Sequence, residues 1–203
     1  MDAVVRDYDD ADPEGVRRVG DPIDGTAFFP GGHGLWRGLE PHGPVPMLFP
    51  EECVLFVGHN FDKVAGYERS LQRGIEVVNG PTWRNLREYI AHAGLRPEQC
   101  FFTNALMGLQ PEKARGRLKT TERFRAECSA FLKDQIDLVR PRAVVALGPV
   151  AQKYVADIAT TAPMLGLMHP YAAIRRADFT RLEGRRLKDF LSGANGRVDV
   201  ARS

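Results

Sequence analysis

Polar side chains able to hydrogen-bond or carry charge follow or interrupt three apolar runs of this sequence. An imidazole donates, accepts or carries a proton near neutral pH, an amide donates and accepts at once, and a carboxylate accepts. Such groups suit acid–base chemistry or the holding of a water molecule. The residues concerned are His59, Asn60 and Asp62 after the run 53–58, Thr103 and Asn104 within Cys100–Leu106, and His169 after 164–168.

Each of these residues has an ordinary structural explanation when it is taken alone. An Asn after a strand often makes a local turn, a buried Asn bonds a neighbouring loop, and a His before Pro packs in a loop. These explanations weaken for the set, because parallel strands place their carboxyl ends at one edge of a sheet, where ligands bind. We therefore expect the side chains to converge on one site.

Apolar runs that alternate with helical patterns are expected to position this site. Runs rich in Val, Leu and Phe are typical of strands buried on both faces, and the amphipathic stretches between them predict helices. This alternation predicts an α/β fold with three α/β/α layers around a central, mainly parallel four-stranded sheet. The expected strands are 53–57, Cys100–Leu106, Ala143–Leu147 and 164–168.

The 203 residues suffice for one domain with a long arm. Residues 1–50 are rich in Gly and Pro and lack a periodic pattern, so we expect an irregular N-terminal arm packed on the domain. We expect the α/β domain to span residues 51–195 and a polar tail to span 196–203. No P-loop and no G-x-G-x-x-G motif follows a predicted strand, which argues against the commonest nucleotide-binding folds.

The composition predicts a cytoplasmic protein of ordinary globular type, with 43% apolar and 27% charged residues. No apolar run reaches membrane-spanning length and no secretory signal is visible. Three cysteines without a C-x-x-C pair indicate a reduced environment without structural zinc. The net charge is +2, but residues 1–15 hold six acids and one base. The remainder therefore carries 27 basic and 20 acidic residues, a mild indication of a polyanionic partner.

Motifs in four segments, in the right order, resemble those of the uracil-DNA glycosylase superfamily. The family's first motif is G-x-[D/N]-P, or G-E-x-P-G in its iron–sulfur branch, and residues 58–62 read G-H-N-F-D. The family's second motif is a strand that ends in [T/L]-N-[A/V], and residues 103–105 of this chain, T-N-A, resemble it. The iron–sulfur pattern R-P-x-x-[V/I]-x-[A/C]-L-G-x-x-A is matched at 140–151, and H-P-[S/A] before a basic loop resembles 169–176. The resemblance covers residues 53–190.

The sequence departs from the family at positions that matter for cofactor and catalysis. Four cysteines hold the cluster of the iron–sulfur branch, but here only Cys128 falls on such a position and Gly108 replaces another. One ligand does not hold a cluster, so we expect no cofactor and no metal. In the first motif His59 replaces a Glu and Phe61 replaces the Pro. Asn60 matches the Asn of the thymine/uracil mismatch and single-strand-selective branches, so neither usual catalytic position has a carboxylate.

The resemblance implies hydrolysis of the bond between uracil and deoxyribose, with negative charge developing on the base. It implies that Asn104 pairs with the O4/N3 edge of uracil and that His169 donates to O2. Asn60 then orients the water through its side-chain oxygen, with His59 and Asp62 as alternative partners of that water. Gly58 and Phe61 then lie around the base, with Phe61 stacking on it, and Trp83 is either a second residue at the base or a core residue. The residues expected on the DNA are Tyr171, Arg175, Arg176, Arg115, Arg117 and Lys119, whose cations suit phosphates or equally an ordinary solvated surface.

We therefore expect a monofunctional DNA glycosylase of base-excision repair that acts, as a monomer, on DNA containing uracil or another deaminated base. Three alternatives remain open. The missing motif Pro and the missing carboxylate favour a protein of this fold that binds damaged DNA without cutting it. An Asn-lined pocket also suits another deaminated base such as hypoxanthine. An unrelated small-molecule α/β enzyme is the third alternative.

Overall fold

The structure is a computed structural model that describes residues 17–18, 53–60, 63–74, 76, 80–96, 99–109, 120–175 and 178–198. Side chains are described within these ranges except at 17–18, 173–175 and 194–198. Most of the expected arm and residues 199–203 of the expected tail lie outside the described residues. The domain boundaries therefore stay predictions.

Four parallel strands form the central sheet. β2 (Val54–Asn60) lies between β3 (Cys100–Leu106) and β5 (Ala143–Leu147), and β6 (Met164–Leu167) pairs with β5 at the sheet's edge. The strand order is thus β3-β2-β5-β6, and each neighbouring pair is parallel. Parallel neighbours need long crossover connections, which here carry the helices.

Helices cover both faces of this sheet. The described helices are α1 (Val64–Arg73), α2 (Pro81–His92), α3 (Glu122–Val139), α4 (Pro149–Ala156) and α5 (Phe179–Val198), and α2 to α5 form the two covering layers. On one face α2 and α5 pack around Phe56 and Phe102, and on the other α3 and α4 pack around Leu55 and Phe101. The prediction of three α/β/α layers around a four-stranded parallel sheet is confirmed.

Two details differ from the sequence-based boundaries. The first strand is predicted to end before Gly58, but β2 continues to Asn60 because β3 extends far enough to pair Asn60 with Leu106. His59 and Asn60 therefore belong to a strand. Residues 196–198 lie in α5, so the expected polar tail begins inside a helix.

A second, small pairing and the local helix signals complete the framework. β1 (Arg17–Arg18) runs antiparallel to β4 (Gly108–Leu109). The hydroxyl of Thr121 caps α3 by accepting the Phe124 amide N–H at 3.2 Å. Pro149 stands in the first turn of α4, where its missing N–H leaves no hydrogen bond unmade. No helix of the described residues has both the length and the apolar character needed to cross a membrane.

Helices α2 and α5 pack so closely that Gly184 has no room for a side chain. A Cβ at this position would overlap the Cβ of His92 and lie 3.0 Å from the carbonyl oxygen of Tyr89. The contact sets the distance of α5 from the rest of the domain. Glu183, the preceding residue of α5, is buried.

Gly184→Ala is expected to lower the free energy of unfolding by about 1–3 kcal/mol, because a methyl group in a filled contact forces the helices apart. The control is Gly193→Ala on the same helix, where a Cβ meets nothing within 4 Å. This control is expected to raise stability by up to about 1 kcal/mol, since Ala favours the helix. Urea unfolding followed by circular dichroism measures both. Equal effects in the two variants would contradict the close contact.

Candidate active site

Asn60 and Asn104 lie on neighbouring strands and on the same face of the sheet. Gly58 is the register partner of Asn104, and partners and alternate residues of parallel strands share a face. Asn60 is therefore roughly 7 Å further along β2 than Gly58. Asn104 is buried, with 2% of its surface exposed, and Asn60 is half-buried at the carboxyl edge. The register thus places both amides at one end of one face.

His169 lies at the same edge of the sheet. Leu167 of β6 pairs with Leu147 of β5, and Ala146 of β5 pairs with Val57 of β2. Counting two residues on from Leu167 puts His169 level with Asn60. The two residues are two strands apart, which corresponds to roughly 10 Å between backbones.

The hydrogen bonds of His169 define which ring nitrogen carries the proton. Its Nδ1 accepts the backbone N–H of Tyr171 at 3.2 Å, so the neutral ring is protonated at Nε2. Burial lowers the pKa of His169 below its ordinary value of 6.5, and charge repulsion from His59 lowers it further. The ring is therefore neutral near pH 7 and offers Nε2–H as a donor.

Side chains from three helices hold the backbone on both sides of His169. Asn85 of α2 and Gln152 of α4 each donate to a carbonyl oxygen, while Glu183 and Arg186 of α5 bind one amide and one carbonyl. The bonds are Arg186 Nη2 to Gly166 O at 3.1 Å, Gln152 Nε2 to Leu167 O at 2.9 Å, Met168 N to Glu183 Oε2 at 2.7 Å and Asn85 Nδ2 to Pro170 O at 2.8 Å.

Gly148 contributes to the same segment from the end of β5. Its amide donates to the Leu167 carbonyl at 2.8 Å. Its φ is +87°, a conformation that L side chains rarely adopt, and a Cβ would lie 2.9 Å from the Cβ of His169. Glycine is therefore required here both by the turn and by the closeness of the histidine.

The sequence pattern does not predict which side chains hold this segment, although it carries a signal for them. Asn85 lies on the buried stripe of α2 beside Leu86, and Glu183 lies on the stripe of α5 that continues with Leu187. A polar residue on an apolar stripe needs a buried partner. That partner was not identifiable, because it is the backbone of the distant segment that follows β6, at Met168 and Pro170.

Two of the other predicted residues, Tyr171 and His59, lie near His169, and most of the rest lie outside the described part. Tyr171, in the 3-10 helix Pro170–Arg175, is 61% exposed directly beside His169. His59 is half-buried and lies on the face of β2 opposite to that of Asn60. It is nevertheless near enough to His169 to lower the pKa of that imidazole. The residues that lie outside the described part, or whose side chains do, are Phe61, Asp62, Arg115, Arg117, Lys119, Arg175 and Arg176.

Trp83 is a core residue of α2. It is 6% exposed, and its ring meets the edge of Phe102 with centroids 5.2 Å apart. Its indole N–H donates to Glu76 Oε1 at 3.0 Å. Trp83 therefore packs beneath the face that carries Asn104, and its predicted contact with a base stays a prediction.

Thr103 serves the structure on the other face of the sheet. Its hydroxyl donates to Gln135 Oε1 of α3 at 2.6 Å, and both side chains are buried. The bond fastens β3 to α3 at the residue before Asn104. Thr103 thus fixes the strand that carries the amide.

The three cysteines do not fit an iron–sulfur cluster. Cys53 and Cys100 lie at the amino ends of β2 and β3, whereas the Sγ of Cys128 accepts the N–H of Met107 at 3.3 Å, beyond the carboxyl end of β3. Burial also raises the pKa of Cys53 to about 12, which disfavours the thiolate that binds metals. Among the described residues, no group of three or more His, Cys, Asp and Glu is placed to hold a metal ion.

A surface groove of about 870 Å³ lies at the opposite end of the sheet. Its walls come from the end of α3, the turn at Arg140 and Pro141, and residues 159–163 before β6. None of the predicted catalytic or base-binding residues lines it. The groove is therefore separate from the edge that carries Asn60, Asn104 and His169.

Comparison with known protein families gives one match over most of the chain. The family model described as Uracil DNA glycosylase superfamily matches residues 48–191, which is well over half of the chain. Curated proteins gave no match. The matched region contains all four strands of the central sheet and the three polar positions at their ends. The chain therefore belongs to the uracil-DNA glycosylase superfamily.

Proposed function

We propose that the protein is a monofunctional DNA glycosylase that removes uracil, the product of cytosine deamination, from DNA. It acts as a cytoplasmic monomer on a base rotated out of the DNA into a pocket at the carboxyl edge of the sheet. The observation that supports this best is His169, whose neutral ring offers Nε2–H as a donor at the same edge of the sheet as the two strand-end amides. Family membership supports a DNA glycosylase, and the uracil specificity is the part proposed here.

The proposed chemistry follows from where charge develops. Breaking the glycosidic bond leaves positive charge on the sugar and negative charge on the base, shared between O2 and O4 of uracil. A hydrogen bond from His169 Nε2 to O2 strengthens as that charge grows. Because the neutral ring needs no counter-charge in a buried place, it supplies this donor without the desolvation cost of an imidazolium.

Asn104 is the proposed specificity residue. Its side-chain oxygen accepts N3–H of uracil while its nitrogen donates to O4. Cytosine presents an acceptor at N3 and a donor at its 4-amino group, so the same amide orientation leaves unpaired buried groups and disfavours it. Burial of Asn104 within β3 favours one fixed orientation.

Asn60 is the proposed water-orienting residue. Its amide oxygen accepts a hydrogen bond from the attacking water but is too weak a base to ionise it. Turnover is therefore expected to be slower than in relatives with a carboxylate at this position. His59 and Asp62 are the alternative partners of the water.

Binding to DNA is assigned to the surface around the 3-10 helix. Tyr171 exposes its ring beside His169 and is proposed to enter the stack when the base leaves. Phe61 is proposed to stack on the flipped base. The cations Arg115, Arg117, Lys119, Arg175 and Arg176 are proposed to contact phosphates.

Oligonucleotides with uracil, hypoxanthine or xanthine, single- and double-stranded, test the substrate after treatment with alkali. We expect strand breaks with uracil alone, and their loss in Asn60→Ala and Asn104→Ala. Strand breaks in DNA that contains hypoxanthine would instead identify that deaminated base as the substrate. Tight binding without breaks would instead support the non-catalytic alternative, which the absence of a carboxylate at Asn60 favours.

The pH dependence of single-turnover uracil release tests the role of His169. Since its pKa is lowered, the neutral ring persists from high pH down to below 6.5, and the rate is expected to fall only below that value. His169→Ala is expected to lose roughly 100- to 1,000-fold in rate, as when one donor to a developing anion is removed. The rate of His169→Ala is also expected to show no decrease at acidic pH, because the titrating ring is gone.

The matched control is His92→Ala, which removes an exposed imidazole from α2 and keeps its Cβ. It is expected to retain the wild-type profile. A rate that rises as His169 becomes protonated would contradict the neutral donor and would favour an imidazolium.

A further inference from the structure

The outer edge of β6 presents backbone groups that need partners. Leu167 O accepts from Gly148 N, so Leu167 faces β5. Because neighbouring residues of a strand bond to opposite sides, Gly166 and Met168 face outward, on a side where the described residues form no further strand of this sheet. Unpaired edge groups are costly when buried and invite pairing with other chains when exposed.

An ion pair from α5 bonds both outward groups. Arg186 Nη2 donates to the carbonyl oxygen of Gly166 at 3.1 Å, and Glu183 Oε2 accepts the amide of Met168 at 2.7 Å. The other carboxylate oxygen of Glu183 accepts from Arg186 Nη1 at 2.7 Å. In a parallel sheet one residue of the next strand would bond the same two groups. The pair therefore takes the place of one residue of a fifth strand.

The burial of the pair is unequal. Glu183 is 2% exposed, whereas the side chain of Arg186 is 47% exposed. Taking a carboxylate out of water is expensive, and apolar side chains of similar volume often stabilise a fold as well or better. Leu187 and Leu191 of α5 already supply apolar packing on this side. What an apolar pair could not supply is a directed bond on each side of Leu167.

We propose that Glu183 and Arg186 are positioning residues for His169, acting through the backbone of β6 and not by touching substrate. The proposal rests on the proposed function for its effect on rate. Met168 directly precedes His169, so the bond to Glu183 fixes the Leu167–Met168 peptide, one residue before the Cα from which the imidazole projects. A displacement of about 1 Å in a reacting group can cost on the order of 100-fold in rate.

The test compares Arg186→Met and Glu183→Gln with wild type, and uses Arg185→Met as the matched control. Arg185 is an exposed arginine on the same helix, one residue away. Arg186→Met removes a half-exposed group and keeps most of its chain length, so it is expected to fold even if Glu183→Gln does not. Three properties are measured: single-turnover uracil release at saturating enzyme, the thermal unfolding midpoint, and the NMR signals of the Met168 amide and the His169 ring. The ring signals are identified from their loss in His169→Ala.

In Arg186→Met and Glu183→Gln we expect uracil release to slow by about 10- to 100-fold at saturating enzyme. The Met168 amide is expected to exchange faster with solvent, and the His169 ring signals to shift. Arg185→Met is expected to stay within about twofold of wild type in rate, as for an ordinary surface change. Loss of thermal stability alone, with rate and ring signals unchanged, would overturn the proposal, and so would a slower rate with an unchanged His169 ring.

The NMR measurements need no DNA, so they separate the two proposals. If wild type releases no uracil, the proposed function fails and the ring signals alone decide the positioning role. Unchanged Met168 exchange and unchanged His169 signals in both variants would then overturn it. Changed signals would support the positioning role of Glu183 and Arg186, whatever reaction takes place at this edge of the sheet.

Discussion

The candidate site depends on a fixed backbone at residues 166–170, which run from the end of the edge strand β6 into the 3-10 helix. Edge backbone is ordinarily free on one side, but here side chains of Asn85, Gln152, Glu183 and Arg186 bond it, together with the amide of Gly148. Fixing five residues costs about 5–10 kcal/mol of backbone entropy. Three neutral hydrogen bonds and two to charged groups return about 5–10 kcal/mol. The hydrogen bonds to this stretch therefore offset the entropy cost of ordering it, and His169 is held in a defined position.

The same constraint explains the electrostatic character of the site. His169 sits against Gly148 and near His59, so burial and repulsion keep its ring neutral while its Nδ1 is used by the following turn. The other two positions at this edge carry amides, Asn60 and Asn104. The described groups thus offer directed donors and acceptors in place of charges. A site of this kind suits the stabilisation of charge that appears on the substrate during reaction, and it relies on fixed geometry more than on acid–base strength.

The sequence predicted the sheet well because its four strands are short apolar runs bounded by Gly, Pro or polar residues, and because local pattern determines such strands. It also predicted that Asn60, Asn104 and His169 would share an edge, which follows from parallel topology alone. It did not predict that Gln135, Asn85 and Glu183, each on the buried stripe of a helix, bond to a strand or to the loop that follows one. Helical periodicity identifies such residues as buried, but their partners are set by tertiary packing. The end of β2 was misplaced for a similar reason, since pairing with Leu106 overrides the stop expected at Gly58.

If the proposed function is right, Asn60, Asn104 and His169 surround one flipped base. A crystal structure with DNA carrying 2′-fluoro-2′-deoxyuridine measures this most directly, because the fluorine disfavours positive charge on the sugar and leaves the bond uncut. We expect the uracil outside the helical stack, with O2 at hydrogen-bond distance from His169 Nε2 and its O4/N3 edge on the Asn104 amide. A uracil bound elsewhere on the protein, or left stacked in the DNA while the three side chains face separate surroundings, would contradict it.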